Sequence, residues 1–569
     1  MHKFTRLTAL LLLVAMVFAV VGGVAAQDGG GKILITGRQM GPSDIPTLDP
    51  SLAEDVPSVQ VITEIFPSLL RLHEETVAVE NGIASYTVSE DGLVYTFSIM
   101  PNVYWVRYNA ESGAVEQLMD ESGTPLTVTA QDFAYGMIRT LDPATAAPYQ
   151  LVWAPWVAGG VEYAASGEST PEEQQALMEA LGIRAVDEWT LEVTVPRVAA
   201  PTALIYAQWF AIAQPQAIIE EFGDFWINPE NIATYGPFAL KEWVRGDGGS
   251  LTMIKNPFWA GTAEIPAPMI DEVQFRFLDE GVQLTEFEAG NLDVSEAPSA
   301  SIDRINSDPN LSAQLHVAPG TCTYYYGFNT EQAPFNDARA RRAFSMAIDR
   351  QSIVDNVTRE GQIPAALFAL PSLVAAPTSE MFPDVGIQSD PEGAVALWNE
   401  YLTDSGMAAD AFQITLYHND SALHASVAQA AQQMWAETLG VNVQITTADF
   451  ATYLDQRGNY SIYRAAWCFD YPDAHNFYYD VPFHSALIEQ NDTHWINTEF
   501  DALIDQAFLE TDNAVRAAIY AEADNILVNT DAAVAPIYYY VTNDLTAPNV
   551  TRTYSNITRE YYEKWDISE

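Results

Sequence analysis

The stretch Arg464-Ala-Ala-Trp-Cys-Phe-Asp-Tyr-Pro-Asp473 is the most informative part of this 569-residue chain. A second stretch, Cys322-Thr-Tyr-Tyr-Tyr-Gly-Phe-Asn329, belongs with it, because the two hold the only cysteines of the protein, each beside a run of aromatic residues. In the first stretch, Asp470 stands between Phe469 and Tyr471. A carboxylate among aromatic rings is partly desolvated and needs a cation, from the fold or from a ligand. Asp470 is therefore the first candidate functional residue.

Residues 1–26 predict a secretory signal peptide. Lys3 and Arg6 make a basic start, an apolar run extends from Leu7 to Val24, and small residues precede the expected cleavage site before Gln27. An uncleaved membrane anchor is the alternative, since the apolar run is marginally long enough to span a bilayer. No cysteine stands at the cleavage site, which argues against a lipoprotein anchor. We expect an exported protein, periplasmic or extracellular, that is associated with the cell envelope.

Export gives the two cysteines a use. Disulfides persist in oxidising compartments, so a bridge between Cys322 and Cys468 is favoured over two buried free thiols. Such a bridge would close a long loop, and the chain-entropy treatment gives it roughly 4–5 kcal/mol of stabilisation.

The charge of the chain excludes some partners. Acidic residues outnumber basic ones by 76 to 25, for a net charge of −51. A field of this sign repels nucleic acid and anionic membrane surfaces. The sequence lacks the HExxH and Gly-x-Ser-x-Gly motifs and a phosphate-binding glycine loop, and its eight histidines do not fall at metal-ligand spacing. We therefore expect no enzyme, no metal and no cofactor.

The local patterns predict a mixed α/β chain. Helices are expected at 130–141, after the capping residue Thr129, and at 338–354 and 422–439. Alternating or β-rich runs predict strands at 32–36, 94–100, 189–195, 239–244, 250–254, 271–277, 441–445 and 535–541.

Several short motifs occur in a shared order and spacing. Besides the two cysteine stretches, they are Leu126-Thr-Val-Thr-Ala-Gln-Asp-Phe133, Leu141-Asp-Pro143, Tyr235-Gly-Pro-Phe238, Lys255-Asn-Pro257, Gly290-Asn-Leu-Asp293, Pro334-Phe-Asn-Asp-Ala-Arg339 and Ile348-Asp-Arg350. Over nearly the whole mature chain, this series resembles the extracytoplasmic solute-binding proteins of peptide ABC importers, family 5, and within it the oligopeptide-binding branch.

The resemblance implies an α/β fold, a two-lobed periplasmic-binding-protein clamshell of type II with an additional inserted domain. Domain I would combine residues 27–66, 203–321 and 541–569. Domain II, the insertion, would comprise residues 67–202, and domain III, the second ligand-binding lobe, residues 322–540. The resemblance also implies the disulfide between Cys322 and Cys468.

The resemblance further implies a site for both charged ends of a peptide. Asp470 matches the family residue that pairs with the peptide α-ammonium, although an internal pair with Arg464 or Arg457 is the alternative. Arg464, His424 and Arg457 match positions that bind the peptide carboxylate, for which the planar fork of arginine is suited. His424 could instead be a locally hydrogen-bonded histidine at the start of a helix.

The peptide backbone would pair with the chain from Ala466 to Cys468 on one lobe and from Glu54 to Pro57 on the other. Four aromatic residues would line the side-chain pockets, with plain core packing as the alternative: Tyr149, Tyr325, Phe450 and Trp467. The chain departs from the branch where Phe450 replaces a common tryptophan, where Gly327 follows the tyrosine triplet, and where Ala466 replaces a glycine.

The implied function is that of a monomeric substrate-binding component, which captures peptides between two lobes and delivers them to a membrane permease. Two alternatives stay open. The same fold could bind an oligosaccharide, a metal chelate or haem. A secreted glycosidase would need two carboxylates at a defined separation across one cleft, and 76 acidic residues make such pairs common.

Overall fold

The computed structural model describes residues 31–41, 44–557 and 559–568. The predicted signal peptide lies outside the described residues. Within these ranges, no helix combines the length and the apolar character that crossing a membrane requires.

The strands, in chain order, are β1 Ile33–Thr36, β2 Leu70–Leu72, β3 Val79–Asn81, β4 Ala84–Val88, β5 Val94–Ile99, β6 Val106–Asn109, β7 Ala114–Gln117, β8 Ile183–Ala185, β9 Thr190–Thr194, β10 Phe238–Val244, β11 Ser250–Lys255, β12 Glu272–Arg276, β13 Val294–Glu296, β14 Leu315–Phe328, β15 Ile363–Pro364, β16 Ile414–Asn419, β17 Val443–Ala448, β18 Ile462–Cys468, β19 Val534–Thr546, β20 Val550–Thr551 and β21 Asp566–Ile567.

The α-helices are α1 Val56–Ile65, α2 Ala130–Leu141, α3 Gln150–Trp153, α4 Gly160–Ala164, α5 Pro171–Glu179, α6 Thr202–Ile205, α7 Gln216–Phe222, α8 Glu280–Glu288, α9 Ile302–Ser307, α10 Pro309–Ser312, α11 Ala338–Met346, α12 Arg350–Ile353, α13 Pro391–Ser405, α14 Ala422–Leu439, α15 Phe450–Gln456, α16 Thr498–Leu509 and α17 Asn513–Asn525. A short π-helical turn, Asn476–Asp480, is important for the site described below.

One large sheet connects the two halves of the molecule. Its strand order is β10-β11-β12-β1-β13-β19-β14-β18-β16-β17, with β15 paired to β19. The two long central strands, β14 and β19, pair antiparallel with each other, and each continues from one half of the sheet into the other. The expected domain boundaries at 321/322 and 540/541 both fall inside these strands. The halves are thus joined by hydrogen-bonded β-structure.

The segment that was expected to be inserted forms a sheet of its own. Strands β4, β5, β9 and β8 pair antiparallel in that order, all within residues 67–202. The helix α2 begins where predicted: the Asp132 carboxylate accepts hydrogen bonds from the amide and hydroxyl of Thr129, at 2.8 and 2.9 Å. These contacts satisfy polar groups at the helix start.

The core of the second half lies on both faces of the sheet. Tyr324 and Tyr326 of β14 pack against the helices α11, α13 and α14 on one face, whereas Tyr325 packs toward α16 and α17 on the other. The largest core belongs to the first half and the 67–202 segment, and it also takes in Tyr471 and Phe508 from the second half. The two halves therefore contact each other near the stretch that contains Asp470.

The prediction of a single helix over residues 338–354 is wrong. The helix α11 ends at Met346, and α12 starts afresh at Arg350, because the Asp349 carboxylate caps it by accepting the Ser352 N–H at 3.0 Å. The buried Arg350 guanidinium turns inward and donates to the Ser345 and Pro536 carbonyls. The capping carboxylate and this inward arginine break the helical register.

Candidate functional site

Strand β18 presents a free edge beside the cleft. On one side, it pairs antiparallel with β14 along its whole length. On the other side, β16 reaches only Ile462 and Tyr463. No strand of the described chain pairs with that edge from Arg464 to Cys468, so its outward backbone groups are available to an added strand.

The disulfide predicted between Cys322 and Cys468 is formed. The two cysteines lie directly opposite each other in the β14–β18 ladder. The bridge therefore holds the last residue of β18 against the central strand of the sheet, and with it the end of the free edge.

Asp470 follows this edge by two residues. Its carboxylate is largely buried and accepts hydrogen bonds from the Tyr149 hydroxyl at 3.3 Å and from the Asn476 amide at 3.2 Å. Burial raises the pKa of Asp470, and the two hydrogen bonds only partly oppose this shift. Within the described ranges, no cation pairs with it. A ligand ammonium would supply the missing charge.

The loop does contain an internal ion pair, but its carboxylate is Asp473. Both oxygens of Asp473 accept hydrogen bonds from Arg516, at 2.5 and 2.8 Å, and both side chains are almost fully buried. The sequence left open an internal arginine pair for Asp470. The structure forms such a pair at Asp473 instead, with Arg516 from α17. Neither Arg464 nor Arg457 pairs with Asp470.

Arg464 lies on β18 with its guanidinium buried, and no carboxylate of the described chain pairs with it. It donates to the Tyr540 hydroxyl at 2.6 Å and to the Asn419 amide oxygen at 3.3 Å, and it lies 4.7 Å from the centre of the Tyr324 ring. Its Nε has no hydrogen-bond partner among the described residues. A buried cation without a counter-ion suits an anionic ligand group.

His424 shares this environment and carries no charge there. It contacts the same Tyr324 ring, and burial, followed by the charge of Arg464, lowers the pKa of His424 to about 3. The expected carboxylate-binding role therefore reduces to that of a neutral hydrogen-bonding group. Arg457 differs again, because its Nε binds Asp492 at 2.6 Å and its charge is already balanced.

The remaining predicted residues divide between the cleft and elsewhere. Trp467 donates its indole N–H to Asn476 at 2.9 Å and lines the cleft. Tyr149 packs edge-on against Trp209, with ring centres 4.7 Å apart. In contrast, Tyr325 is buried against Phe368, as in ordinary core packing, and the Phe450 side chain is 58% exposed.

Two cavities meet at Asp470. The smaller cavity, about 220 Å³, lies against Glu54, Tyr149, Cys468, Asp470 and Arg559. Glu54 is exposed at its rim, and of the predicted strand residues Ala466 to Cys468 only Cys468 borders this cavity. The smaller cavity therefore lies between the two backbone segments that were expected to face the ligand, at Glu54 and at Cys468.

The larger cavity, about 360 Å³, is named here the chamber. One wall comes from residues 151–199 and includes Trp156 and Arg197, and the other comes from residues 467–508 and includes Trp467, Asp480 and Phe508. The chamber thus lies between the 67–202 segment and the second half of the sheet.

Sequence reasoning missed Asn476, Asp480 and Arg559. Asp480 carries the signal that identified Asp470, because it directly follows Tyr478 and Tyr479. Asn476 connects the two carboxylates, since its amide donates to Asp470 at 3.2 Å and to Asp480 at 2.9 Å. Arg559 gave no local signal, because only the fold brings this C-terminal residue to the smaller cavity.

Asp480 is expected to make the stability of the protein depend on pH. Burial, and then the charge of Asp470, raises the pKa of Asp480 to about 7, although the Tyr471 hydroxyl donates to it at 2.7 Å. The folded protein thus holds this proton more tightly than the unfolded chain, whose aspartates titrate near pH 4. The resulting stabilisation is complete below about pH 4 and is lost as the pH rises through 7.

We expect the free energy of unfolding, measured by urea denaturation at pH 5 to 8, to fall by up to about 1.4 kcal/mol per pH unit from this group. The variant Asp480→Asn should fall less steeply. Burial also raises the pKa of Asp524 to about 7, and this group titrates in both proteins, so the difference between the two curves isolates Asp480. Parallel curves would contradict the assignment.

Comparisons with known proteins identify the family of this chain. Residues 50–486 match the family described as bacterial extracellular solute-binding proteins, family 5. The chain is 29% identical to the periplasmic oligopeptide-binding protein OppA of Escherichia coli K12 over 513 residues, which cover 89% of this chain and 87% of that protein. It is 30% identical to the oligopeptide-binding protein OppA of Bacillus subtilis 168 over 559 residues, 95% of each chain.

Among solved structures, the fold is similar to that of the periplasmic murein tripeptide-binding protein MppA in an unliganded open form. The TM-score is 0.75 at 26% sequence identity, and the match covers 94% of this chain and 97% of that one. The predicted fold class, a two-lobed α/β clamshell with an additional inserted domain, is thereby confirmed.

Proposed function

Because the chain belongs to the bacterial extracellular solute-binding proteins of family 5, we propose that it captures short peptides between its lobes and delivers them to an ABC importer in the membrane. The relatives named above are described as oligopeptide-binding proteins, and members of the family are binding proteins rather than enzymes. We extend both properties to this chain, together with export to the cell envelope and action as a monomer.

The observation that carries this proposal is the free edge of β18, which ends beside the carboxylate of Asp470, a group that no cation of the described chain pairs with. An extended peptide can add to such an edge through its backbone, which every peptide shares regardless of sequence. The backbone of its first residue would then lie in the smaller cavity, with the α-ammonium on Asp470 and the chain from Glu54 to Pro57 facing it.

Arg464 would receive the other end of the peptide, with His424 as a neutral partner. The free edge from Arg464 to Cys468 covers about 13 Å at roughly 3.3 Å per residue. This distance matches a peptide of about three to five residues. Trp467 and Tyr149 would line the side-chain pockets, whereas the roles of Tyr325, Phe450 and Arg457 are less favoured by their surroundings.

The same premise supports the domain division. We propose that residues 27–66, 203–321 and 541–569 form domain I, that 67–202 form domain II, and that 322–540 form domain III. The separate antiparallel sheet within 67–202 and the cleft at Asp470 support this division.

The alternative functions fit the cleft less well. A glycosidase places its two carboxylates on either side of the scissile bond. In the chamber, Asp470 and Asp480 line the same wall, and the facing residues 151–199 add no carboxylate. At the smaller cavity, Glu54 lies across from Asp470 but is exposed at the rim. Sugars and haem, in turn, do not match an unpaired acid and an unpaired arginine along one strand edge.

The test is calorimetric titration of the purified protein with alanine peptides of two to six residues, with matched N-acetylated and C-amidated forms. We expect binding that is tightest near three to five residues and at least tenfold weaker when either end is blocked. No binding of any peptide, or equal binding of free and blocked forms, would contradict the proposal. Native mass spectrometry of the ligand that co-purifies provides an independent check.

A further inference from the structure

The chamber holds a carboxylate that the peptide ends do not use. Asp470 borders both cavities, but Asp480 borders only the chamber, on the far side of Asn476 from Asp470. The Tyr471 hydroxyl and the Asn476 amide both donate to Oδ2 of Asp480. No hydrogen bond to its Oδ1 is present in the described part of the chain, so this oxygen is available to accept a hydrogen bond from a group in the chamber.

The neighbouring cations do not neutralise Asp480. Arg516 is fully engaged with Asp473. The side chain of His475 is buried, and burial keeps its pKa well below its usual range, so it is neutral. Arg197 reaches the chamber from the opposite wall, but its guanidinium stacks on Phe508 at 4.4 Å and forms no ion pair within the described ranges. If the ligand supplies only an α-ammonium, one positive charge is therefore available for two carboxylates, those of Asp470 and Asp480.

Apart from Asp470, Asp480, Arg197 and His475, the rest of the chamber lining is apolar or aromatic. This part of the lining includes Trp156, Val195, Trp467, Leu487 and Phe508. A long aliphatic stem would be buried against such walls while its charged end meets the carboxylate, which is how lysine side chains usually lie against apolar surfaces. The apolar lining and the Asp480 carboxylate thus both favour a side chain with a long aliphatic stem and a cationic end.

We propose that the chamber receives the side chain of the first peptide residue and that Asp480 binds its cationic end, so the protein prefers peptides that begin with lysine. This inference rests on the proposed peptide function and on the placement of the α-ammonium at Asp470. A dicationic first residue supplies one positive charge to each of the two carboxylates that Asn476 connects.

The experiment compares two alanine peptides of the length that binds best, one beginning with lysine and the other with norleucine, which has a similar stem and no charge. Calorimetry at pH 8 is expected to give at least tenfold tighter binding of the lysine peptide to the wild-type protein. In Asp480→Asn, this preference should fall below about twofold, while the affinity for the norleucine peptide stays within about twofold of wild type.

Retained affinity for the norleucine peptide shows that the variant is folded. Asp505→Asn is the matched control, because this carboxylate is 71% exposed and lies outside the chamber. It should keep the full lysine preference. Equal binding of both peptides by the wild type, or an unchanged preference in Asp480→Asn, would overturn this inference and leave the proposed function intact. Failure of the wild type to bind either peptide would overturn the proposed function and this inference with it.

Discussion

Replacing Asp470 by asparagine is expected to weaken peptide binding by roughly 10²–10³-fold. The carboxylate is largely buried, accepts hydrogen bonds from Tyr149 and Asn476, and has no cationic partner among the described residues, which is why we propose the peptide α-ammonium as its counter-charge. Removing one member of a buried, hydrogen-bonded ion pair leaves the other uncompensated, at a cost of about 3–5 kcal/mol. Calorimetric titration of wild type and Asp470→Asn with one free peptide measures the loss.

Acetylation of the peptide provides the complementary control. The acetylated peptide should bind the wild type about as weakly as the free peptide binds Asp470→Asn. The two changes should not add, because both remove the same interaction. The variant itself should unfold at the same or a higher temperature, since it no longer buries an unpaired acid. Unchanged affinity in Asp470→Asn, or full additivity with acetylation, would contradict the placement of the ammonium.

Replacing Arg516 by methionine is expected to lower the free energy of unfolding by about 3–5 kcal/mol. Arg516 and Asp473 form two short hydrogen bonds, and both side chains are almost fully buried. Methionine fills much of the space but leaves the Asp473 carboxylate without a partner. Urea denaturation at pH 7 measures the change.

Two further variants test whether the isolated charge causes this loss. The double variant Arg516→Met with Asp473→Asn should regain most of the stability, because no buried charge is left unpaired. Arg304→Met removes an arginine that is half exposed and paired with Glu288 at the surface, and it should cost less than about 1 kcal/mol. A double variant as unstable as Arg516→Met would show that lost packing, and not charge, is responsible.

Local patterns in the sequence predicted those elements whose signals are all local. The helix α14 spans the predicted residues 422–439, because Ser421 caps its start and Gly440 ends it with a φ of 68°. The apolar spacing over 338–354 continues equally well, yet the helix breaks there. The break depends on the contact of Arg350 with Pro536 in a distant strand, which no local pattern contains.

The site was predictable to the extent that one chain segment contains it. The aromatic neighbours of Asp470 indicated a desolvated carboxylate, and no cation pairs with it among the residues that the structure describes. The sequence could not decide between Arg464, Arg457 and a ligand as its partner. Because side chains alternate along a strand, Arg464 and Trp467 lie on opposite faces of the sheet. The arginine that enters the loop of Asp470 is Arg516 from α17, forty-three residues beyond Asp473.

The roles of His424 and Arg457 depended on neighbours that are distant in sequence. Arg464, which lies in β18, helps to keep His424 of α14 neutral, and Asp492, which comes from a later loop, balances Arg457. Charge states of this kind follow from tertiary packing, so the residue types alone gave the candidates but not their protonation or pairing.

The free edge of β18 also bears on how this protein avoids self-association. An unpaired, disulfide-held strand edge is a template on which a second polypeptide chain can assemble into aggregates. Residues 151–199 line the same cavity as Trp467 of this edge, and a peptide in place would saturate the backbone groups of the edge. A bound peptide would then protect the protein from self-association, because only the peptide-free protein has an edge to which another copy can add a strand.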